Sequence, residues 1–115
     1  MSSLEDLRQL VLAFRDEHDW EQFHNPKDLA ISLSLEAAEF LEQFQWKNPD
    51  EISQHLKQHA EAVQDELADV LYWVLLISGD MNVDLDKALR SKLVKNAQKY
   101  PIAKSKGRHN KYTEL

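Results

Sequence analysis

The chain has no cysteine. Disulfides, zinc–thiolate sites and cysteine nucleophiles are therefore excluded. Glycine occurs twice and proline three times in 115 residues. With Leu, Ala, Glu, Lys and Gln abundant, that scarcity favours a nearly all-α fold. No run approaches the ~18 apolar residues of a membrane helix. The acidic start Met1-Ser2-Ser3-Leu4-Glu5-Asp6 lacks the apolar region of a signal peptide, so a cytoplasmic location without a membrane partner is expected. Positive charge is in the minority, and a formal net charge of −6 argues against binding a nucleic-acid polymer through its phosphates. The length fits one domain, and a thin helical protein of this size gains from oligomerisation.

The scarce prolines mark helix starts. Ser3 followed by Asp6 reads as a capping box, opening a first helix over residues 3–19 with the apolar stripe Leu4, Leu7, Val11 and Phe14. Asn25-Pro26 and Asn48-Pro49 each read as an N-cap followed by the first helical position. They open a second helix to Trp46 and a third to Ser78, with Gly79 just past its end. Asp84 caps a fourth helix over residues 85–99, which Pro101 stops. The expected architecture is an all-α bundle of four to five helices, completed by oligomerisation. A helical catalytic domain spans residues 1–101 and a polar tail without periodicity spans residues 102–115.

Two short acidic motifs stand out, Glu36-Ala37-Ala38-Glu39 and Glu66-Leu67-Ala68-Asp69. Each places two carboxylates three residues apart, on one helix face. Glu36 interrupts the apolar column Leu29, Leu33, Phe40, Phe44, and Glu66 interrupts the column Ile52, Leu56, Val63, Val70, Ile77. Acids at core-facing positions are costly unless paired or bound to metal. Four of them on neighbouring helices fit a hard divalent cation, Mg²⁺ or alternatively Mn²⁺, bound through oxygen. The plain alternative is a solvated face paired with lysines.

The register of these motifs carries a prediction. The short link near Lys47-Asn48 makes the second and third helices antiparallel neighbours. Counted from that turn, Glu66 lies about ten residues further out than Glu39, a mismatch of roughly 15 Å for straight helices. The acids meet only if the polar stretch between Ser53 and Ala62 is broken, or if subunits pair.

Three further groups complete the inventory. Nine Lys or Arg lie between Lys87 and Lys111. This basic end suits a small polyphosphate ligand, although a solvated basic face is the simpler reading. Within it, Lys92, Asn96 and Lys99 share a stripe, followed by Tyr100. Lys92 and Lys99 can neutralise phosphate oxygens, and Asn96 can orient a sugar, a phosphate or a water. The aromatics Trp20, Phe23, Trp46 and Trp73, with His24 nearby, offer rings on which a nucleobase can stack; core packing is the alternative. His55 and His59 are spaced i, i+4 but lack a metalloprotease arrangement, and are expected at the surface.

Taken in order, Asp19-Trp20-Glu21-Gln22-Phe23-His24, Glu36-x-x-Glu39 to Phe44-Gln45-Trp46-Lys47, Asp65-Glu66-Leu67-Ala68-Asp69-Val70-Leu71, Ser91-Lys92 to Asn96, Lys99-Tyr100-Pro101 and Lys111-Tyr112-Thr113 form a pattern. That pattern resembles the MazG-like nucleotide pyrophosphohydrolases, and more closely their dCTP pyrophosphatase branch. The resemblance implies an all-α, Mg²⁺-dependent hydrolase. Its substrate would be a (deoxy)nucleoside triphosphate, dCTP or a modified dCTP, cleaved to the monophosphate and pyrophosphate. It implies metal ligation by Glu36, Glu39, Glu66 and Asp69, and phosphate binding by Lys92, Asn96, Lys99 and Tyr100. It implies a base pocket built from Trp20, Phe23, His24, Trp46 and Trp73. It further implies a homotetramer, as a dimer of dimers, or a homodimer. Lys99 stands where the family often has arginine. Lys92 and Lys99 would stabilise developing charge, and Glu39 or Asp65 would take the proton of the attacking water. The competing function is a non-catalytic helical module that binds a nucleotide or a partner protein without turnover.

Overall fold

The computed structural model describes residues 3–109. They form α1 (Leu4–Glu17), α2 (Pro26–Glu42), α3 (Pro49–Gln58), α4 (Ala60–Asp80), α5 (Leu85–Lys99) and α6 (Ile102–Ser105), with a 3-10 turn at Glu21–Phe23. No strand occurs among the described residues, so the all-α expectation holds. The count exceeds four or five because the expected third helix is split at His59 and one helical turn forms in the tail. Lys111, Tyr112 and Thr113 lie outside the described residues.

Helix starts follow the caps in the sequence. Ser3 Oγ accepts the Asp6 N–H at 3.0 Å, while the Asp6 carboxylate accepts the Ser3 N–H at 3.3 Å. Asn25 Oδ1 accepts the Asp28 N–H at 3.0 Å ahead of α2. Asn48 and Glu51 form a reciprocal capping box at 2.9 and 3.1 Å ahead of α3. Each such cap is worth ~1 kcal/mol.

Two compact units make up the chain, Met1–Asn82 and Val83–Leu115. In the first, α4 is the central element, and both α1 and α2 pack along it. Its apolar centre is small: Leu29 on α2 is 1% exposed, and Leu75 and Leu76 on α4 are 2% and 0%. The second unit carries α5, whose N-cap Asp84 accepts the Lys87 N–H at 3.1 Å, and α6.

Two helix ends differ from expectation. The second helix stops at Glu42 rather than Trp46. Residues 43–47 tighten into i→i+3 turns, with the Phe44 N–H on Leu41 O at 3.0 Å and the Lys47 N–H on Phe44 O at 3.1 Å. At the other end, α4 runs through Gly79 to Asp80, so Gly79 is not a terminator. Its missing side chain instead admits α1, because a Cβ there would stand 3.1 Å from Leu12 Cδ1.

The break at His59 decides the geometry of the site. His59 sits at φ −125° and ψ 36°, outside helical conformation, between Gln58 and Ala60. The preceding helix folds back on the end of α2 through His55 Nε2 and Gln43 Oε1, 2.6 Å apart, and the edge of Phe44 against His55. His55 is accordingly half-buried, not a surface residue as expected, whereas His59 is exposed. The α3 helix thus serves as part of the turn, and the working hairpin is α2–α4. Glu36 lies six residues before Glu42, the end of α2, and Glu66 six after Ala60, the start of α4. The broken helix brings the two motifs level within one chain.

Candidate active site

Glu36, Glu39 and Glu66 each present a carboxylate oxygen within 4.8 Å of the others. Glu36 and Glu66 are half-buried, as their places in the apolar columns require, and Glu39 is exposed. The Oε2 atoms of Glu36 and Glu66 are buried and have no hydrogen-bond partner among the described residues. Orphaned acceptors of this kind are expensive in a folded protein. Desolvation is the largest cause that raises the Glu36 carboxyl, to about 7, followed by its hydrogen bond with Glu39 and the charges of Glu39, Asp69 and Glu66. Glu66 is raised as well, by desolvation first and then by the charges of Glu39 and Asp69. Three crowded carboxylates with two unfilled buried acceptors fit a hard divalent cation, which would satisfy both oxygens and offset the repulsion.

Asp69 takes a different position from the other three acids. With Glu36 it lines a cleft of about 470 Å³, whose remaining wall is Leu10, Val11, Phe14, Trp20, Tyr72 and Trp73. One aromatic cleft therefore has two carboxylates on its wall, and Glu36 also belongs to the acidic cluster. Trp20 is held by its neighbours: the His18 ring stacks on it at 4.4 Å and Phe14 meets it edge-on at 5.7 Å. Asp19 adopts φ 56°, in the left-handed region, to turn the chain there. Trp73 packs edge-on against Tyr72 at 5.2 Å and against His24 at 5.7 Å.

The sequence-selected aromatics thus divide. Trp20 and Trp73 line the cleft; His24 touches Trp73 from outside the lining residues; Phe23 is 66% exposed and Trp46 88% exposed, and neither lines the cleft. Lys92, Asn96, Lys99 and Tyr100 belong to the second unit, the first three on one face of α5 by their spacing and Tyr100 at its C-cap. Leu10, Val11, Phe14 and Tyr72 were not selected from the sequence, because they read as ordinary helix stripe residues. The signal available was Phe14 lying one helical turn before His18 and close to Trp20 in the chain.

Fold and donor set define a helical protein with a cluster of glutamate carboxylates beside an aromatic cleft. The family model described as MazG-like matches residues 31–115, and the chain belongs to the MazG-like family. It is 43% identical to dCTP pyrophosphatase 1 of Rattus norvegicus over 98% of this chain and 68% of that protein. The human protein of the same name is 39% identical over the same shares. Among solved structures, a pyrophosphatase from Archaeoglobus fulgidus superposes with a TM-score of 0.81 at 37% identity, covering 88% of this chain and 94% of that one.

Proposed function

We propose that the chain is a nucleoside triphosphate pyrophosphohydrolase. It would cleave dCTP, or a dCTP with a modified base, to the monophosphate and pyrophosphate. The observation that carries this reading is the meeting of the glutamate cluster and the aromatic cleft at Glu36. The cleft suits a base, and the cluster suits a cation that accompanies phosphates. The similarity to dCTP pyrophosphatases supports the same substrate class.

Glu36, Glu39, Glu66 and Asp69 would hold Mg²⁺, with Mn²⁺ able to replace it. Such a cation, when bound, neutralises phosphate oxygens and makes water a better nucleophile. Trp20 and Trp73 take the base between them by stacking, worth roughly 1–3 kcal/mol per base. We assign base contacts also to His24, to Phe23 and to Trp46, the last two reaching a base from a second copy of the chain. Lys92 and Lys99 meet the phosphates as point charges, and Asn96 and Tyr100 orient them by hydrogen bonding. Glu39, which belongs to the cluster whereas Asp65 does not, accepts the proton of the attacking water.

The assembly we favour is a homotetramer, a dimer of dimers, with a homodimer as the smaller form. Two observations support association. The apolar centre is small, and α4 presents a shallow apolar groove of about 520 Å³ along Leu67, Ala68, Val70, Leu71 and Val74. Light scattering on the purified chain tests it, and a monomer at micromolar concentration would exclude it.

The function is tested by incubating the chain with dCTP and Mg²⁺ and separating the products. Equal dCMP and pyrophosphate are expected, and Glu36→Gln or Glu66→Gln should remove activity by at least a hundredfold. Release of orthophosphate, or a Glu36→Gln variant as active as the parent, would refute the reading.

A further inference from the structure

Arg15 carries a permanent charge yet is only 4% exposed. Its Nη1 and Nη2 donate to Asp80 Oδ2 and Oδ1, both at 2.8 Å, a bidentate pair between α1 and the last residue of α4. The same guanidinium reaches into the loop between α1 and α2. Nη1 stands 3.5 Å from His24 Nδ1, and Nη2 stands 3.9 Å from a Glu21 carboxylate oxygen. The Arg15 carbonyl also accepts the Trp20 N–H at 3.2 Å. One residue therefore ties two helices and both ends of the loop that carries Trp20 and His24.

Burying a charge pair is a poor way to gain stability, because desolvation takes back most of the attraction. Here the Arg15 Nε is buried without a hydrogen-bond partner among the described residues, which adds to the cost. The return lies in geometry. Trp20 lines the cleft, and the His24 ring meets Trp73 edge-on, 5.7 Å away at 70°. The guanidinium held by Asp80 reaches the loop at Glu21, next to Trp20, and at His24, whose ring meets Trp73; an apolar residue would leave His24 unanchored.

We propose that Arg15, anchored by Asp80, is a positioning residue that sets the spacing of the cleft's aromatic walls and so the affinity for a nucleobase. The proposal rests on the reading of the cleft as the base site. It acts on binding and leaves the acid cluster alone, so KM moves and kcat does not.

The test uses the full chain with Arg15→Met and Asp80→Leu combined, an apolar replacement of the pair that similar cases tolerate. Melting is measured alongside steady-state hydrolysis of dCTP. A melting temperature within a few degrees of the parent is expected, together with a KM raised at least fivefold and a kcat within twofold. An unchanged KM in the folded double variant overturns the proposal. Should the double variant not fold, Asp80→Asn keeps the shape and loosens the fork. Its KM is expected to rise at least threefold, and an unchanged value again overturns the proposal. Should the parent show no turnover, the base-site chemistry is followed by titrating dCMP against tryptophan fluorescence. The same shift in midpoint then supports the positioning role although the enzymatic reading has failed, and an unshifted midpoint removes it.

Discussion

Replacing Glu36 by Gln should stabilise the metal-free protein while removing its activity. The Glu36 carboxyl ionises at about 7, against 4.5 for an unperturbed glutamate, because burial and the charges of Glu39, Asp69 and Glu66 oppose its ionised form. The sign follows from linkage. Between 4.5 and about 7 the folded chain holds a proton on Glu36 that the unfolded chain has released, so stability falls as pH rises through this window. At 1.36 kcal/mol per unit the penalty reaches about 3 kcal/mol at most, and solvent at the lip of an open cleft reduces it to about 1–2 kcal/mol. Gln is isosteric with the protonated acid, and its amide can donate to Glu39 as that acid does. It therefore removes the penalty without opening a cavity.

The assay is thermal melting in chelator at fixed protomer concentration, since association would otherwise move the midpoint. At pH 8 the Glu36→Gln variant should melt roughly 4–10 °C above the parent, as about 1–2 kcal/mol implies for a domain of this size. At pH 5 the parent is itself protonated at this site and the gap should close. Millimolar Mg²⁺ should raise the parent and leave the variant nearly unmoved. A variant that melts below the parent at pH 8, or that gains equally at both pH values, would refute the argument. It would mean that the carboxylates repel too weakly to matter, or that a cationic group already faces Glu36.

Because the Glu36 carboxyl, raised to about 7, must lose its proton to bind a cation, Mn²⁺ affinity should weaken about tenfold for each pH unit below 7, measured by titration calorimetry between pH 5.5 and 8. Trp20→Ala should raise KM for dCTP roughly five- to a hundredfold with little change in kcat, since one stacking surface is lost. Gly79→Val places methyls against Leu12, so chemical denaturation should register a loss of about 1–3 kcal/mol. His59→Gly should cost only a few tenths of a kcal/mol, because His59 already lies outside helical conformation, whereas Gln64→Gly inside α4 should cost about 1 kcal/mol.

Much of this molecule was legible in local chemistry. Ser3, Asn25, Asn48 and Asp84 cap helices as their spacing implies, because a cap is a contact between residues three apart and needs no tertiary context. Gly79 misled for the opposite reason. A glycine near a helix end ordinarily marks the stop, but here the selecting contact is Leu12, on another helix and invisible to a local reading. Phe14, Tyr72 and Arg15 were overlooked on the same ground. Phe14 and Tyr72 look like core, and an arginine inside an amphipathic helix looks solvated, until Asp80 arrives from a residue 65 positions away.

The acid motifs lie between these cases, and their register shows why. Periodicity placed Glu36 and Glu66 on inward faces, and both are half-buried beside apolar neighbours. It could not place them side by side, because straight helices from the same turn would have kept them roughly 15 Å apart. That distance had to be absorbed somewhere, and the polar stretch around His55–Ala62, where Leu56 alone continues the apolar column, was the segment with least to lose. The absorbed length became α3, an amphipathic spacer held to α2 through Gln43 and Phe44. A long-range constraint therefore left a local trace: where two acidic motifs meet and the count for straight helices does not allow it, the weakest-patterned segment between them is where the helix breaks.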